Sequence, residues 1–136
     1  TAGFESIILA DLGMTHQTDI SVLRDACIRE MPESAVAKMI YAVSQAFIDC
    51  YLKTFKQPKA PAHDVVAVMY LVRPELFTKR AARVEVELEG KLTRGMSVAD
   101  WSGRWQKPMN TEVLMSVDTE RFVEEFVAAV RCLPRQ

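Results

Sequence analysis

His63 and Asp64 stand side by side in the run Pro61-Ala62-His63-Asp64. They are the residues of this chain best suited to chemistry. An imidazole titrates near neutral pH and can deliver or accept a proton there. A carboxylate is a hard oxygen donor that can accept hydrogen bonds or meet a cation. Without further context both have plainer readings: Asp64 as the N-cap of a following helix, because Asp is a favoured cap type, and His63 as a loop histidine making one hydrogen bond. Phe47 and Tyr51 are one helical turn apart and share a face; periodicity alone makes them core. His16, inside Thr15-His16-Gln17, reads as structural. Cys27, Cys50 and Cys132 are odd in number and widely spaced, with no CxxC pair. They suit reduced thiols in or near a core better than a disulfide framework or a zinc site.

Several elements must position these groups. Ile7 to Ala10 is a short continuous apolar run, followed by the turn-type residues Asp11, Gly13 and Thr15. That pattern predicts a strand covered on both faces, as in a parallel sheet. A first helix is expected from Ile20 to Arg29, and a second from Ser34, a good N-cap, to about Lys56. In the second, Val36, Met39, Ile40, Val43, Phe47, Tyr51 and Phe55 form one apolar stripe. Pro58 and Pro61 end it and define a loop. Val65 to Val72 is apolar all round and stops before Pro74, which predicts a short buried helix with Asp64 at its N-terminus, a buried strand being the competing reading. Arg83 to Glu89 alternates strictly, as a strand with one wet face does. After a turn at Gly90 and Lys91, Leu92 to Val98 is expected to return as a strand, although Thr93-Arg94-Gly95 within it also reads as a turn, with Arg94 in a local ion pair. Val113 to Val117 is a further strand. Asp118 then caps a last helix with Phe122, Val123, Phe126, Val127 and Val130 inward.

The order is that of an α/β protein. One parallel-type strand is few for an open sheet, so the chain reads as the trailing part of a sheet begun elsewhere. Composition excludes other classes. The chain is 49% hydrophobic and 26% charged, ordinary values for a globular domain rather than a disordered one. Its 17 basic and 18 acidic residues leave a net charge of -1, which steers it toward neither nucleic acid nor an anionic membrane. It shows no secretory leader and no apolar run long enough to span a bilayer, so a cytoplasmic location fits. It starts at Thr1 rather than Met, which suits a processed product or a piece of a longer chain.

Four stretches, in order and in register, together resemble the inosine–uridine-preferring nucleoside hydrolase family. Asp11-Leu12-Gly13-Met14-Thr15-His16-Gln17 is similar to the family's GLDVTHQ, and Pro61-Ala62-His63-Asp64 to its P-x-H-D. Arg73-Pro74-Glu75-Leu76-Phe77 is similar to DPELF, and Leu92 to Trp101 to LTRGMTVxDW. One departure is that Asp11 and Gly13 stand where relatives usually have Gly then Asp, which questions the local loop path.

The resemblance implies the C-terminal part of a single domain, residues 1–136, with an open, mostly parallel sheet flanked by helices and the active site at the strands' carboxyl ends. It implies calcium-dependent cleavage of the N-glycosidic bond of ribonucleosides to base and ribose. The family's DTDxGxDD motif and its ribose-gripping Asn/Glu segment are not in this sequence, and both are expected upstream. Carried over residue by residue, Asp64 is the last calcium ligand and His63 the group beside the departing base. Phe47 and Tyr51 are the best matches to aromatics approaching the base, and Trp101 is a further candidate. A homo-oligomer, or association with the N-terminal portion, is expected. The competing reading is a truncated, non-catalytic homologue serving as a binding or assembly module.

Overall fold

A computed structural model describes residues 3–57 and 59–133. The chain runs through β1 (Ile8–Leu9), α1 (Leu12–Thr15), α2 (Ile20–Glu30), α3 (Ala35–Phe55) and α4 (His63–Val72). A single 3-10 turn at Pro74–Leu76 leads to β2 (Phe77–Val86), β3 (Ser97–Asp100), β4 (Thr111–Val117) and α5 (Thr119–Arg131). The four strands lie in the order β1-β4-β2-β3. The described part of the sheet is mixed: β1 runs parallel to β4, whereas β2 is antiparallel to both β4 and β3.

Local chemistry explains most boundaries. Asp19, Ser34 and Asp118 each cap a helix by accepting a backbone N–H, from Ser21, Ala37 and Arg121 respectively. Helix α3 ends at Lys56 in the left-handed conformation. Pro58, expected to help end that helix, lies outside the described residues. The return strand is shorter than the expected Leu92 to Val98 and begins later. Residues 91–95 form a turn, closed by Gly95 N–H donating to the Glu87 carbonyl at 2.7 Å, with Gly95 at φ 89°. Leu92 therefore stands in solvent, and β3 begins only at Ser97. Arg94 is exposed and in no ion pair among the described residues.

Two clusters form the core. One gathers Met14, Leu23, Val66, Met69, Phe77, Leu114 and Phe122 between the sheet and its helices. The other packs Ala26, Cys27, Ala37, Val127 and Val130 where α2, α3 and α5 meet. Phe122, in α5, meets the Phe77 ring edge-on at 6.3 Å. The strand covered on both faces is β4, where the neighbours Val113 and Leu114 are each buried. In β1, by contrast, Ile8 and Leu9 are only half-buried, because among the described strands β1 has a neighbour on one side alone.

The apolar stripe expected to bury α3 is only partly inward: Val36, Ile40 and Tyr51 are half-buried, Val36 and Ile40 against the second cluster. The buried residues of the helix are Ala37 and Ser44, with Ile40, Ile48 and Tyr51 half-buried beside them at spacings of threes and fours. Met39, Val43 and Phe55 are exposed. Ala37 and Ser44 are small and lie two turns apart, so α2 can pack closely on that side.

Candidate active site

The chain leaves β1 at its carboxyl end and turns at once into α1. Asp11 makes the turn by capping α1, its Oδ1 accepting Met14 N–H at 2.9 Å. Gly13 has no positive φ and sits within the helix; a Cβ there would lie 3.3 Å from the Asp11 Oδ1. The glycine gives the capping carboxylate room, so the Asp11/Gly13 exchange builds a short helix rather than a flexible loop.

From α1 a ladder of polar contacts reaches the loop before α4. Thr15 Oγ1 and His63 Nδ1 are 2.8 Å apart. Thr18 Oγ1 donates to the Thr15 carbonyl at 2.8 Å and accepts Ala62 N–H at 3.3 Å. Ile20 N–H donates to the Ala60 carbonyl at 2.8 Å. Gln17 Nε2 ties the same segment to β4 through the Met115 carbonyl at 2.9 Å. The two stretches quoted as Asp11 to Gln17 and Pro61 to Asp64 are thus stitched together at the carboxyl end of the β1/β4 pair.

His63 and Asp64 open α4. The N-cap is Ala62, with no side-chain capping bond. Asp64 is therefore not the cap that its residue type suggested. Its carboxylate is exposed, in the first turn, and in no hydrogen bond or ion pair among the described residues. His63 is half-buried, and its ring centroid lies 5.9 Å from that of His16. Phe47 and Tyr51 do share a face, with ring centroids 5.6 Å apart, and Phe55 continues the row 4.6 Å beyond Tyr51. Phe47 is exposed and Tyr51 half-buried, so neither is a core residue.

Trp101 stands apart from these groups. It follows β3, at the opposite edge of the sheet from β1. There the Arg80 guanidinium covers its ring at 5.1 Å, and Arg80 Nη2 donates to its carbonyl at 3.2 Å. Asp100 anchors this loop. Its buried carboxylate accepts Trp105 N–H at 2.7 Å and Ser102 N–H at 3.0 Å. Those bonds, that from Trp105 foremost, hold its pKa below the usual carboxylate range.

Among the described residues no three His, Cys, Asp or Glu side chains gather closely enough to hold a metal ion. Calcium needs about six to eight oxygens. The uncommitted Asp64 carboxylate suits it as one ligand, and the others would have to come from elsewhere.

The sequence matches the inosine-uridine preferring nucleoside hydrolase family over residues 2–124. The chain belongs to that family. It is 33% identical over 128 residues to the non-specific ribonucleoside hydrolase RihC of Escherichia coli, a match covering 93% of this chain and 40% of that protein. An uncharacterized protein of Schizosaccharomyces pombe is 32% identical over 131 residues, covering 94% of this chain and 41% of the relative. Among solved structures, an inosine-guanosine nucleoside hydrolase superposes with a TM-score of 0.75 at 24% identity, over 98% of this chain and 42% of that one. A purine-preferring ribonucleoside hydrolase from Gardnerella vaginalis gives 0.71 at 24%, over 92% and 39%. These structures share the fold. The chain spans about two fifths of the length of the curated relatives it matches. Among the described residues no helix is long and apolar enough to cross a membrane.

Sequence reasoning named His63 and Asp64 but passed over Thr15 and Thr18. Each is buried and polar, and each bonds across to the Ala62-His63 turn. The available signal was two threonines, three residues apart and just ahead of the Asp19 cap, and nothing in it names a partner 44 or 48 residues away.

Proposed function

We propose that this chain is the C-terminal portion of a calcium-dependent nucleoside hydrolase domain, which cleaves ribonucleosides to base and ribose. The observation that carries the reading is the first turn of α4. There a histidine braced on its Nδ1 side adjoins a carboxylate that has no structural duty, at the carboxyl end of β1. Membership of the family supplies the reaction class.

In this reading His63 donates a proton to the base nitrogen as the glycosidic C–N bond breaks and its electron pair leaves with the base. A water oxygen joins the sugar carbon, and the proton that water loses balances the one His63 gives up. Phe47 and Tyr51 offer ring faces to the base, and Trp101 is left to packing at the β3 edge. Asp64 would contribute one oxygen to calcium, with the remaining carboxylates supplied by protein outside these residues. Bound calcium supplies a water of lowered pKa and a grip on the sugar hydroxyls. Apolar side chains support association with that other portion. Met39, Val43 and Phe55 on α3, and Val68, Leu71 and Val72 on α4, are exposed here and want cover.

The test is His63→Ala in the full-length protein. Turnover of inosine and uridine should fall by about 10²–10⁴-fold. A 4-nitrophenyl riboside, whose leaving group departs as an anion without a proton, should lose far less. Equal losses on both substrates would remove His63 from the proton-donor role. A full-length protein with no turnover of any riboside would favour the non-catalytic reading.

A further inference from the structure

His63 is not free to turn. Its Nδ1 faces the hydroxyl of Thr15, a residue only 3% exposed. That hydroxyl has a second neighbour, the Leu12 carbonyl at 3.4 Å, which also accepts His16 N–H at 3.0 Å. A hydroxyl carries one donor and two acceptor positions. It can donate to a bare Nδ1. It can equally accept Nδ1–H while its own proton swings to the Leu12 carbonyl. The bond to Nδ1 survives in both arrangements, and Nε2 is the ring nitrogen in no hydrogen bond among the described residues.

The platform beneath this contact is itself fixed. Thr18, also buried, joins the Thr15 carbonyl to Ala62 N–H, and Ile20 N–H bonds the Ala60 carbonyl. Thr15 and the first residue of α4 are thus held by separate bonds on both sides of the contact. A ring clamped at one nitrogen on a rigid support presents the other in one direction, which is what proton delivery at a fixed atom requires.

We infer that Thr15 is the positioning residue for His63, its hydroxyl holding Nδ1 so that Nε2 addresses the departing base. The inference rests on the reading of His63 given above. Thr15 touches no reacting atom and acts only through the ring.

The experiment compares Thr15→Val, Thr15→Ser, His63→Ala and the double variant Thr15→Val/His63→Ala, all in the full-length protein. Thr15→Val keeps the shape and removes the hydroxyl. It should lower kcat on inosine about tenfold, change KM by less than about twofold, and spare the 4-nitrophenyl riboside. Thr15→Ser should restore most of the loss. The double variant should be no slower than His63→Ala, because nothing is left to position. If His63→Ala is slow on inosine while Thr15→Val runs at the parent rate, the Thr15 assignment falls and the reading of His63 stands. If His63→Ala runs at the parent rate, the reading of His63 falls and this one with it. Losses by Thr15→Val that strike both substrates alike, or that multiply those of His63→Ala, make Thr15 a packing residue and overturn the assignment. Ring 15N spectra of labelled histidine give a readout apart from turnover. The His63 Nδ1 resonance should move in Thr15→Val and stay in Thr15→Ser, and an unmoved resonance in Thr15→Val overturns the inference.

Discussion

Asp64→Asn separates a calcium ligand from a structural carboxylate, and the structure sets the size of each effect. Asp64 is exposed, caps nothing, and is in no hydrogen bond or ion pair among the described residues. What it gives the metal-free fold is a negative charge in the first turn of α4, worth about 0.3–1 kcal/mol against the helix dipole. In EGTA the variant should therefore melt within a few degrees of the parent. Calcium changes the comparison. At a free concentration one hundred times the dissociation constant, a ligand bound only by the native state stabilises it by about 2.7 kcal/mol. Loss of one charged ligand that weakens binding by about 100-fold brings the same concentration down to the new dissociation constant. The stabilisation left is about RT ln 2, or roughly 0.4 kcal/mol. Calcium should thus raise the parent's Tm by several degrees and barely move that of Asp64→Asn. Thermal melts of the full-length protein in EGTA and in calcium read both quantities. If the variant keeps the parent's calcium increment, Asp64 is no ligand. If it instead loses several kcal/mol in EGTA, the carboxylate has a structural duty that its surroundings do not display.

Two further outcomes follow from the packing. Phe122→Ala removes a ring 1% exposed that meets Phe77 edge-on, and should cost about 3–5 kcal/mol in denaturant unfolding of the full-length protein; a loss below about 1 kcal/mol would mean the site collapses around the gap. Asp100 has a folded pKa below its usual value, so its contribution to stability is present above the unfolded carboxylate pKa, near 3.9, and is lost as pH falls through the folded value. Asp100→Asn should loosen the loop bearing Trp101 and Trp105, seen as a shifted tryptophan emission at neutral pH, and should flatten the acid limb of the stability curve below about pH 4; an unchanged spectrum and an unchanged acid limb would show that the bonds to Ser102 and Trp105 do not hold the loop.

Much of the fold was legible because its signals are local. Helix α2 and the caps Ser34 and Asp118 followed from residue type and period, and α5 from a clear two-sided pattern. The start of β2 was missed. Phe77 to Ala82 carries Lys79 and Arg80 among small and apolar residues, with a bulge between Thr78 and Lys79 that breaks the alternation. The pairing of β1 with β4 joins Leu9 to Val113, and no local pattern encodes a partner so distant. The same limit explains the site. Residue types and resemblance point to His63 and Asp64 one at a time. The Thr15 contact that orients His63 exists only once α1 and the loop before α4 are brought together.

Helix α3 shows most sharply what periodicity can and cannot say. Period 3.6 establishes that apolar residues share a face, but it does not say what covers them. Here two faces compete. One carries Ala37 and Ser44, small enough to admit α2 closely, and is buried. The other carries Met39, Val43, Phe47 and Phe55, which look the better core on hydrophobicity and are exposed. Burying those large side chains would offer more transfer free energy, at about 25 cal/mol per Å². Close approach of α2 instead favours small residues, with Cys27 and Ala26 filling the contact from the other side. The exposed stripe ends at Phe47 and Phe55, whose rings flank the half-buried Tyr51 in one aromatic row. A face both apolar and aromatic, left uncovered on a helix whose other side is already packed, is the surface expected of a segment that meets something beyond these residues. On the proposed reading that is the rest of the hydrolase domain along most of its length, and the nucleoside base at Phe47 and Tyr51.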